Sequence, residues 1–318
     1  MRFEPDLTTV GADAVALCIF IRSAVTAPFI EAHPALRFIT TRSRTYEHID
    51  MGACARRGIV VSRVPSYASA TVVEHTFALI LALSRRLREA MTPRAGRFSY
   101  ETTRAFDLSG KTLGVLGLGA VGWRVAVLAQ AFNMRVLAWD PRELSVGTNV
   151  ECAPLETVLE QAHVLTLHLR IGPETHHIMN AATFALCRPG VVLINTARGA
   201  LVDTHALREA LESGQVGGAG LDVMEEERVM SQTAASIIGS EIIQHLQADK
   251  TPAAVQTQGR LQQLQDLMLS SELLRRPNVV FTPHAAFNSV EAVAKVNDTT
   301  LENIQAFLAG KPINLVTG

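Results

Sequence analysis

Residues 113–122 read Leu-Gly-Val-Leu-Gly-Leu-Gly-Ala-Val-Gly, and this run constrains the chain more than any other. A strand-like stretch, 112–116, leads straight into Gly117, Gly119 and Gly122, and a helix-forming stretch follows. The first glycine of such a GxGxxG turn permits a tight bend. The second lets backbone approach a pyrophosphate, and the third lets helix and strand pack closely. The helix that starts at Ala120 and Val121 then offers free N–H groups and the positive end of its dipole to phosphates. Glycine turns also serve close packing without a ligand, so the turn needs context. Asp140 supplies it, at the end of the next predicted strand, 135–139. An acid there accepts hydrogen bonds from the adenosine ribose and repels a 2′-phosphate, which predicts NAD over NADP. The other reading of Asp140 is a plain strand-end turn residue.

Short strand-like runs alternate with amphipathic helical stretches along the whole chain, as in α/β folds with parallel sheets. Strands are expected at 14–20, 36–40 and 58–61, then at 112–116, 135–139, 164–168, 191–195, 218–223 and 279–282. One long helix is expected over about 70–90, and a last helix over about 290–308 that returns to pack on the first domain. The polar segment 91–110, broken by Pro93 and Gly96, reads as a connection between domains. The expected division is a substrate domain, 1–102 plus 286–318, and a Rossmann domain, 103–285. Segment 228–274, rich in Gln, Ala and Leu and without strand signal, is expected to be a helical insertion. Two Rossmann or flavodoxin-like domains with an interdomain active site are the fold this predicts.

Hydrophobic residues make up 48% of the 318, enough for a core in each half, and the formal charge is -1 with no basic stripe. That argues against nucleic acid as a partner. The longest clean apolar run, 77–83, is too short to span a bilayer, and the N-terminus lacks a signal-peptide core. Cys18, Cys54, Cys152 and Cys187 are scattered, so a cytoplasmic protein with reduced thiols and no metal site is expected.

A nicotinamide can give or take a hydride, but a carbonyl that accepts one needs its oxygen protonated and its carbon held against the ring. Three residues at predicted C-terminal strand ends suit that task. Arg198 follows the strand at 191–195, Glu227 lies just past the strand at 218–223, and His284 follows the last strand. Each alone reads as an ordinary surface or structural residue. Together, around one crevice, they point to catalysis.

The matching stretches make the likeness specific. They are Glu74-His-Thr-Phe-Ala-Leu79, the glycine turn with Asp140, Ile194-Asn-Thr-Ala-Arg-Gly199, Gly220-Leu-Asp-Val223 and Thr282-Pro-His284. The chain resembles the D-isomer-specific 2-hydroxyacid dehydrogenases over nearly its whole length. The resemblance implies that Arg198 binds the substrate carboxylate and polarises the carbonyl. His284 donates the proton, and Glu227, rather than Glu225 or Glu226, is its partner. Asp222 is implied to contact the nicotinamide end, and Ala120, Val121 and Thr196 to line the cofactor. A carboxylate beside an imidazole favours the imidazolium, and an Arg fork binds both carboxylate oxygens at once.

Within the family, Val64-Pro-Ser-Tyr67 and His284-Ala-Ala-Phe287 resemble the D-lactate dehydrogenase branch, which implies that Tyr67 and Phe287 reach a small 2-keto or 2-hydroxy acid. Packing between domains is the other reading of both. Thr45 stands where the family usually has Gly, in a loop that approaches the substrate carboxylate. Arg170 replaces a usual Pro, and Ala120 a usual Arg or Lys. A homodimer is implied as well. The alternatives are a hydroxypyruvate or glyoxylate reductase, a phosphoglycerate dehydrogenase, and a non-catalytic NAD-sensing protein of corepressor type.

Overall fold

The computed structural model describes residues 7, 10–21, 23–66, 68–91, 101, 103–142, 150–225, 269 and 272–316. In chain order the elements are β1 (Ala16–Ile19), α1 (Ala27–Ala32), β2 (Phe38–Thr41), α2 (Met51–Arg56), β3 (Val60–Arg63), α3 (Ser69–Ser84) and α4 (Leu87–Met91). Then come β4 (Thr112–Leu116), α5 (Ala120–Ala131), β5 (Arg135–Trp139), β6 (Glu151–Cys152), α6 (Leu155–Gln161), β7 (Val164–Leu167) and α7 (Ala181–Leu186). The chain continues through β8 (Val191–Asn195), α8 (Thr204–Ser213), β9 (Val216–Leu221), β10 (Val279–Phe281) and α9 (Val290–Leu308). It divides into two compact units, Met1–Ser69 with Phe287–Gly318, and Ala70–Ala286.

The larger unit is built on a seven-stranded sheet of order β10-β9-β8-β7-β4-β5-β6, and every pairing in it is parallel. Its inner strands are apolar on both faces, as a parallel sheet covered by helices on both sides requires. The alternation can be read off residue by residue. Leu113, Val115, Val136, Ala138, Val192 and Ile194 pack in one core, while Leu116, Leu137, Leu165, Leu167 and Leu193 pack in the other. Capping fixes several helix starts. Asp203 accepts from the N–H groups of His205 and Ala206, and Asn180 and Thr183 cap each other reciprocally.

The smaller unit carries a parallel sheet of order β1-β2-β3 around Leu17, Ile19, Ile30, Ile39 and Val61. Helix α9 packs on it, as expected, with Phe307 stacked on Phe38 at 4.4 Å between ring centroids. Asn303 is fully buried there and is satisfied: its Nδ2 donates to Thr40 Oγ1 and the Arg63 carbonyl, and its Oδ1 accepts from Asn314.

Strands β4, β5 and β8 lie where the sequence places them, and the other expected strands shift at their ends. Strand β6 was not anticipated, because its two residues are exposed at a sheet edge and carry no apolar pattern. The helix expected over 70–90 is two helices. Arg86 adopts a left-handed backbone at φ 49°, and the Ser84 carbonyl accepts from Phe106 N–H, so α3 stops there. Helix α3 packs with the larger unit, which runs from Ala70 to Ala286. The reason is β9, whose Gly218 and Gly220 leave room for Leu79 and Leu83 of α3 to press on the sheet. A strand glycine costs about 0.5–1 kcal/mol against Ala, whereas burying a Leu contributes about 1.5–3 kcal/mol. Packing α3 on this sheet therefore outweighs the loss. The insertion expected at 228–274 lies outside the described residues, apart from Leu269 and 272–274.

Candidate active site

Strand order in the larger sheet reverses between β4 and β7, and such a switch point is where open α/β sheets bind ligands at the C-terminal strand ends. The glycine turn sits there. Gly117 has φ +99° and donates its N–H to the Trp139 carbonyl at 2.7 Å. A side chain on it would meet the His168 backbone at 2.7 Å. A Cβ on Gly122 would come within 1.9 Å of the Gly117 carbonyl oxygen, so helix α5 rests directly on the turn. Gly119 differs, since nothing lies within 4 Å of where its Cβ would be. It is also the N-cap of α5, without a side-chain hydrogen bond to the first turn, so Ala120 and Val121 open the helix beside clear space. This arrangement fits a pyrophosphate.

Asp140 follows β5, and its carboxylate accepts from Leu118 N–H at 2.9 Å, which ties the acid to the turn. Burial alone would raise the Asp140 pKa. The Arg142 guanidinium and the N–H groups of Arg142 and Leu118 outweigh that and hold it below the ordinary carboxylate value.

Three further loops leave the same sheet edge after β8, β9 and β10. Arg198 follows β8. Its carbonyl accepts from Asn195 Nδ2, and its own Nη1 donates to the Ala197 carbonyl. The adjoining Gly199 lies so near the next loop that a Cβ would fall 2.1 Å from the Met224 carbonyl. Asp222, 1% exposed, organises the third loop. Its Oδ1 accepts from Thr282 Oγ1 at 2.6 Å and from Ala285 N–H at 2.8 Å, and its Oδ2 accepts from Ala286 N–H at 3.0 Å. The Asp222 carbonyl accepts from His284 N–H at 2.8 Å, and His284 itself has φ +51°. The β8 loop thus packs on the β9 loop, and the β9 loop holds the β10 turn that carries His284.

Glu225 is engaged elsewhere. Its Oε1 meets His177 Nε2 at 2.5 Å, and its Oε2 accepts from the Thr204 N–H and hydroxyl. Glu227 and Tyr67 lie outside the described residues. Thr45 and Phe287 belong to the smaller unit. The Thr45 carbonyl accepts from Ser43 Oγ at 2.6 Å, and Phe287 lies 5.7 Å from Phe20. Phe20, Arg42, Phe287, Val293 and Val296 line a mostly apolar cavity of about 140 Å³.

Sequence reasoning assigned no role to His75, Thr76 or Thr282. Helix α3 brings His75 Nε2 to 2.8 Å from Thr282 Oγ1 and 3.5 Å from Asp222 Oδ1. The next residue, Thr76, meets the hydroxyl of Thr196 at 3.0 Å. The run Glu74-His-Thr-Phe-Ala-Leu79 was the available signal, but nothing in it says which strand ends the helix reaches.

A profile described as "D-isomer specific 2-hydroxyacid dehydrogenase, NAD binding domain" matches residues 77–286. The chain belongs to this family. It is an NAD-dependent D-2-hydroxyacid dehydrogenase at the level of family. The D-lactate dehydrogenase of Escherichia coli K12 is 31% identical over 311 residues, which is 96% of this chain and 86% of that protein. The glycerate dehydrogenase of Methylorubrum extorquens is 32% identical over 89% of this chain and 79% of its own length. Among solved structures, the Aquifex aeolicus D-lactate dehydrogenase with NAD and lactic acid has a TM-score of 0.78 and 30% identity, covering 98% of this chain and 91% of that one. The dehydrogenase fold is accordingly that of two α/β units with parallel sheets.

Proposed function

We propose that this dehydrogenase interconverts pyruvate, or a 2-keto acid of similar size, and the D-2-hydroxy acid, with Arg198, Glu227 and His284 as its catalytic residues. The observation that carries the reading is the mutual packing of the β8, β9 and β10 loops, which seats Arg198 and His284 on the sheet edge that bears the glycine turn. In this mechanism Arg198 clamps the substrate carboxylate with its planar fork and draws charge toward the carbonyl oxygen. His284 gives its proton to that oxygen and takes it back in the reverse direction. Glu227 stabilises the protonated imidazole. The bound nicotinamide supplies the hydride to the carbonyl carbon and accepts it on reversal. Asp222 fixes the His284 turn and faces the nicotinamide end, and Thr196, Gly117, Gly119, Ala120, Val121, Gly122 and Asp140 hold the rest of the dinucleotide.

Thr45, Tyr67 and Phe287 are assigned to the substrate. The apolar lining around Phe287 suits a methyl or another short apolar tail. The named activity of the E. coli relative and the lactic acid in the Aquifex structure support the same choice. We place the protein in the cytoplasm as a homodimer, expected to sediment at twice 34.4 kDa. Among the described residues no helix is long and apolar enough to cross a membrane.

The test is NADH oxidation with pyruvate, glyoxylate, hydroxypyruvate, phenylpyruvate and phosphohydroxypyruvate. Pyruvate is expected to give the highest kcat/KM and a D-configured product. His284→Ala is expected to lower kcat ~10²–10⁴-fold while NADH still binds. Preference for hydroxypyruvate or its phosphate would replace the substrate assignment. Tight NADH binding without turnover of any of the five would replace catalysis by sensing.

A further inference from the structure

Two adjacent histidines and a distant glutamate of the larger unit come together in the fold, and none of the three is assigned to cofactor or substrate. His176 and His177 lie on the connection between β7 and α7, and Glu225 lies on the loop after β9, 48 residues beyond His177. One ring nitrogen of each histidine and one Glu225 carboxylate oxygen all lie within 4.8 Å of one another. His177 Nε2 is 2.5 Å from Glu225 Oε1, and the two imidazole centroids are 4.0 Å apart. His177 and Glu225 are partly buried, whereas His176 is exposed.

The donors are held from behind. Glu225 Oε2 accepts from Thr204 N–H at 3.0 Å and from Thr204 Oγ1 at 2.8 Å, which leaves Oε1 turned to the histidines. The histidine loop is tied down as well. His177 N–H donates to the Ala200 carbonyl, Met179 bridges Val202, and Asn180 Nδ2 donates to the His177 carbonyl. Hydrogen bonds of this kind orient the ligands of a metal centre. Two imidazoles and one carboxylate suit Zn2+, whereas Mg2+ and Ca2+ take oxygen ligands. Ligand atoms about 2.0–2.2 Å from a tetrahedral zinc stand roughly 3.3 Å apart. The His177–Glu225 contact therefore opens by less than about 1 Å to admit the ion, and the exposed His176 ring turns toward it. The fourth position is left to water. The cysteine pattern carries no trace of such a site, because its donors converge only when the two loops fold together.

We propose that His176, His177 and Glu225 form a Zn2+ site that fastens the connection after β7 to the loop after β9. The test is titration of the untagged full-length protein with ZnCl2, after chelator treatment and dialysis, in competition with a chromophoric zinc chelator. One Zn2+ per chain is expected, with a higher thermal unfolding midpoint, because an ion that binds the folded chain alone stabilises it. His176→Asn is the deciding variant. The His176 side chain is exposed and takes no part in the hydrogen bonds among His177, Glu225 and Thr204, so the chain folds without it. The variant should raise the Zn2+ Kd at least ~10-fold, since even outer partners of a metal site are worth that much, and should abolish the midpoint shift. Glu225→Gln should weaken binding in the same way. Cys152→Ser, which removes the exposed thiol, should leave the Kd unchanged. Equal Zn2+ uptake by His176→Asn and the natural protein would mean an adventitious ion only and overturns the site. Absence of uptake by the natural protein, or loss of it in Cys152→Ser, overturns it too, and the His177–Glu225 contact is then a plain hydrogen bond between loops.

Discussion

His168 shows how one side chain links the site to stability. It directly follows β7, its N–H donates to the Leu116 carbonyl at 2.7 Å, and its backbone lies against Gly117. The ring hydrogen-bonds Thr166 Oγ1 through Nε2 at 2.9 Å, and burial pushes its pKa down to about 3 from 6.5. In the unfolded chain the imidazole takes a proton near pH 6.5, while in the folded chain it stays neutral until far lower. The unfolded state therefore binds more protons across that window, and stability falls as pH drops from 6.5 toward 3. The ceiling of the loss is about 1.4 kcal/mol per pH unit. His163, lowered by burial and by Arg188 and Lys111, adds with the same sign. Urea unfolding at pH 7.5 and pH 5 should show a larger loss for the natural protein than for His168→Gln, by about 1–2 kcal/mol. Equal losses would mean that the ring is protonated in the folded state.

At the scale of elements, α3 is a brace as well as a core helix. Its His75 and Thr76 reach the ends of β10 and β8 through Thr282 and Thr196. Thr282 Oγ1 donates to Asp222, so it accepts from His75 Nε2–H, and the chain of bonds runs from α3 to the turn that carries His284. Loss of one such bond costs about 0.5–1.5 kcal/mol, and in the transition state that is ~2–10-fold in rate. We expect His75→Ala to lower kcat by that factor with little change in KM, and His75→Gln, which keeps a donor, to recover most of it. Equal kcat in both variants and the natural protein would confine α3 to packing. None of this was legible in the sequence. The glycine turn, Asp140, Arg198 and His284 could be placed because each sits within a few residues of a strand with clear periodicity. The partners of His75 lie about 150–200 residues away, and such pairing is fixed by sheet order, which local pattern does not encode. The packing of α3 on the larger sheet escaped for the same reason. The polar segment after α4 looks like a linker, whereas the glycines of β9 that draw α3 onto the larger sheet look merely like a weak strand.

For the molecule as a whole, two units with separate cores carry different shares of the work. Every residue assigned to the dinucleotide falls within Ala70–Ala286, from the turn at Gly117 to Asp222. Ligand that binds only the folded state at 100 times its Kd adds about 2.7 kcal/mol of stability. Slowed amide exchange should register that gain where the ligand is held. NADH alone is therefore expected to protect the first turn of α5, the end of β5 and the loops after β8 and β9. Strands β1–β3 should change less. Hydrogen-exchange mass spectrometry with and without saturating NADH measures this directly. Protection strongest in β1–β3, or absent at α5 while NADH is bound, would place the cofactor away from the glycine turn and remove the frame on which Arg198 and His284 were given their roles.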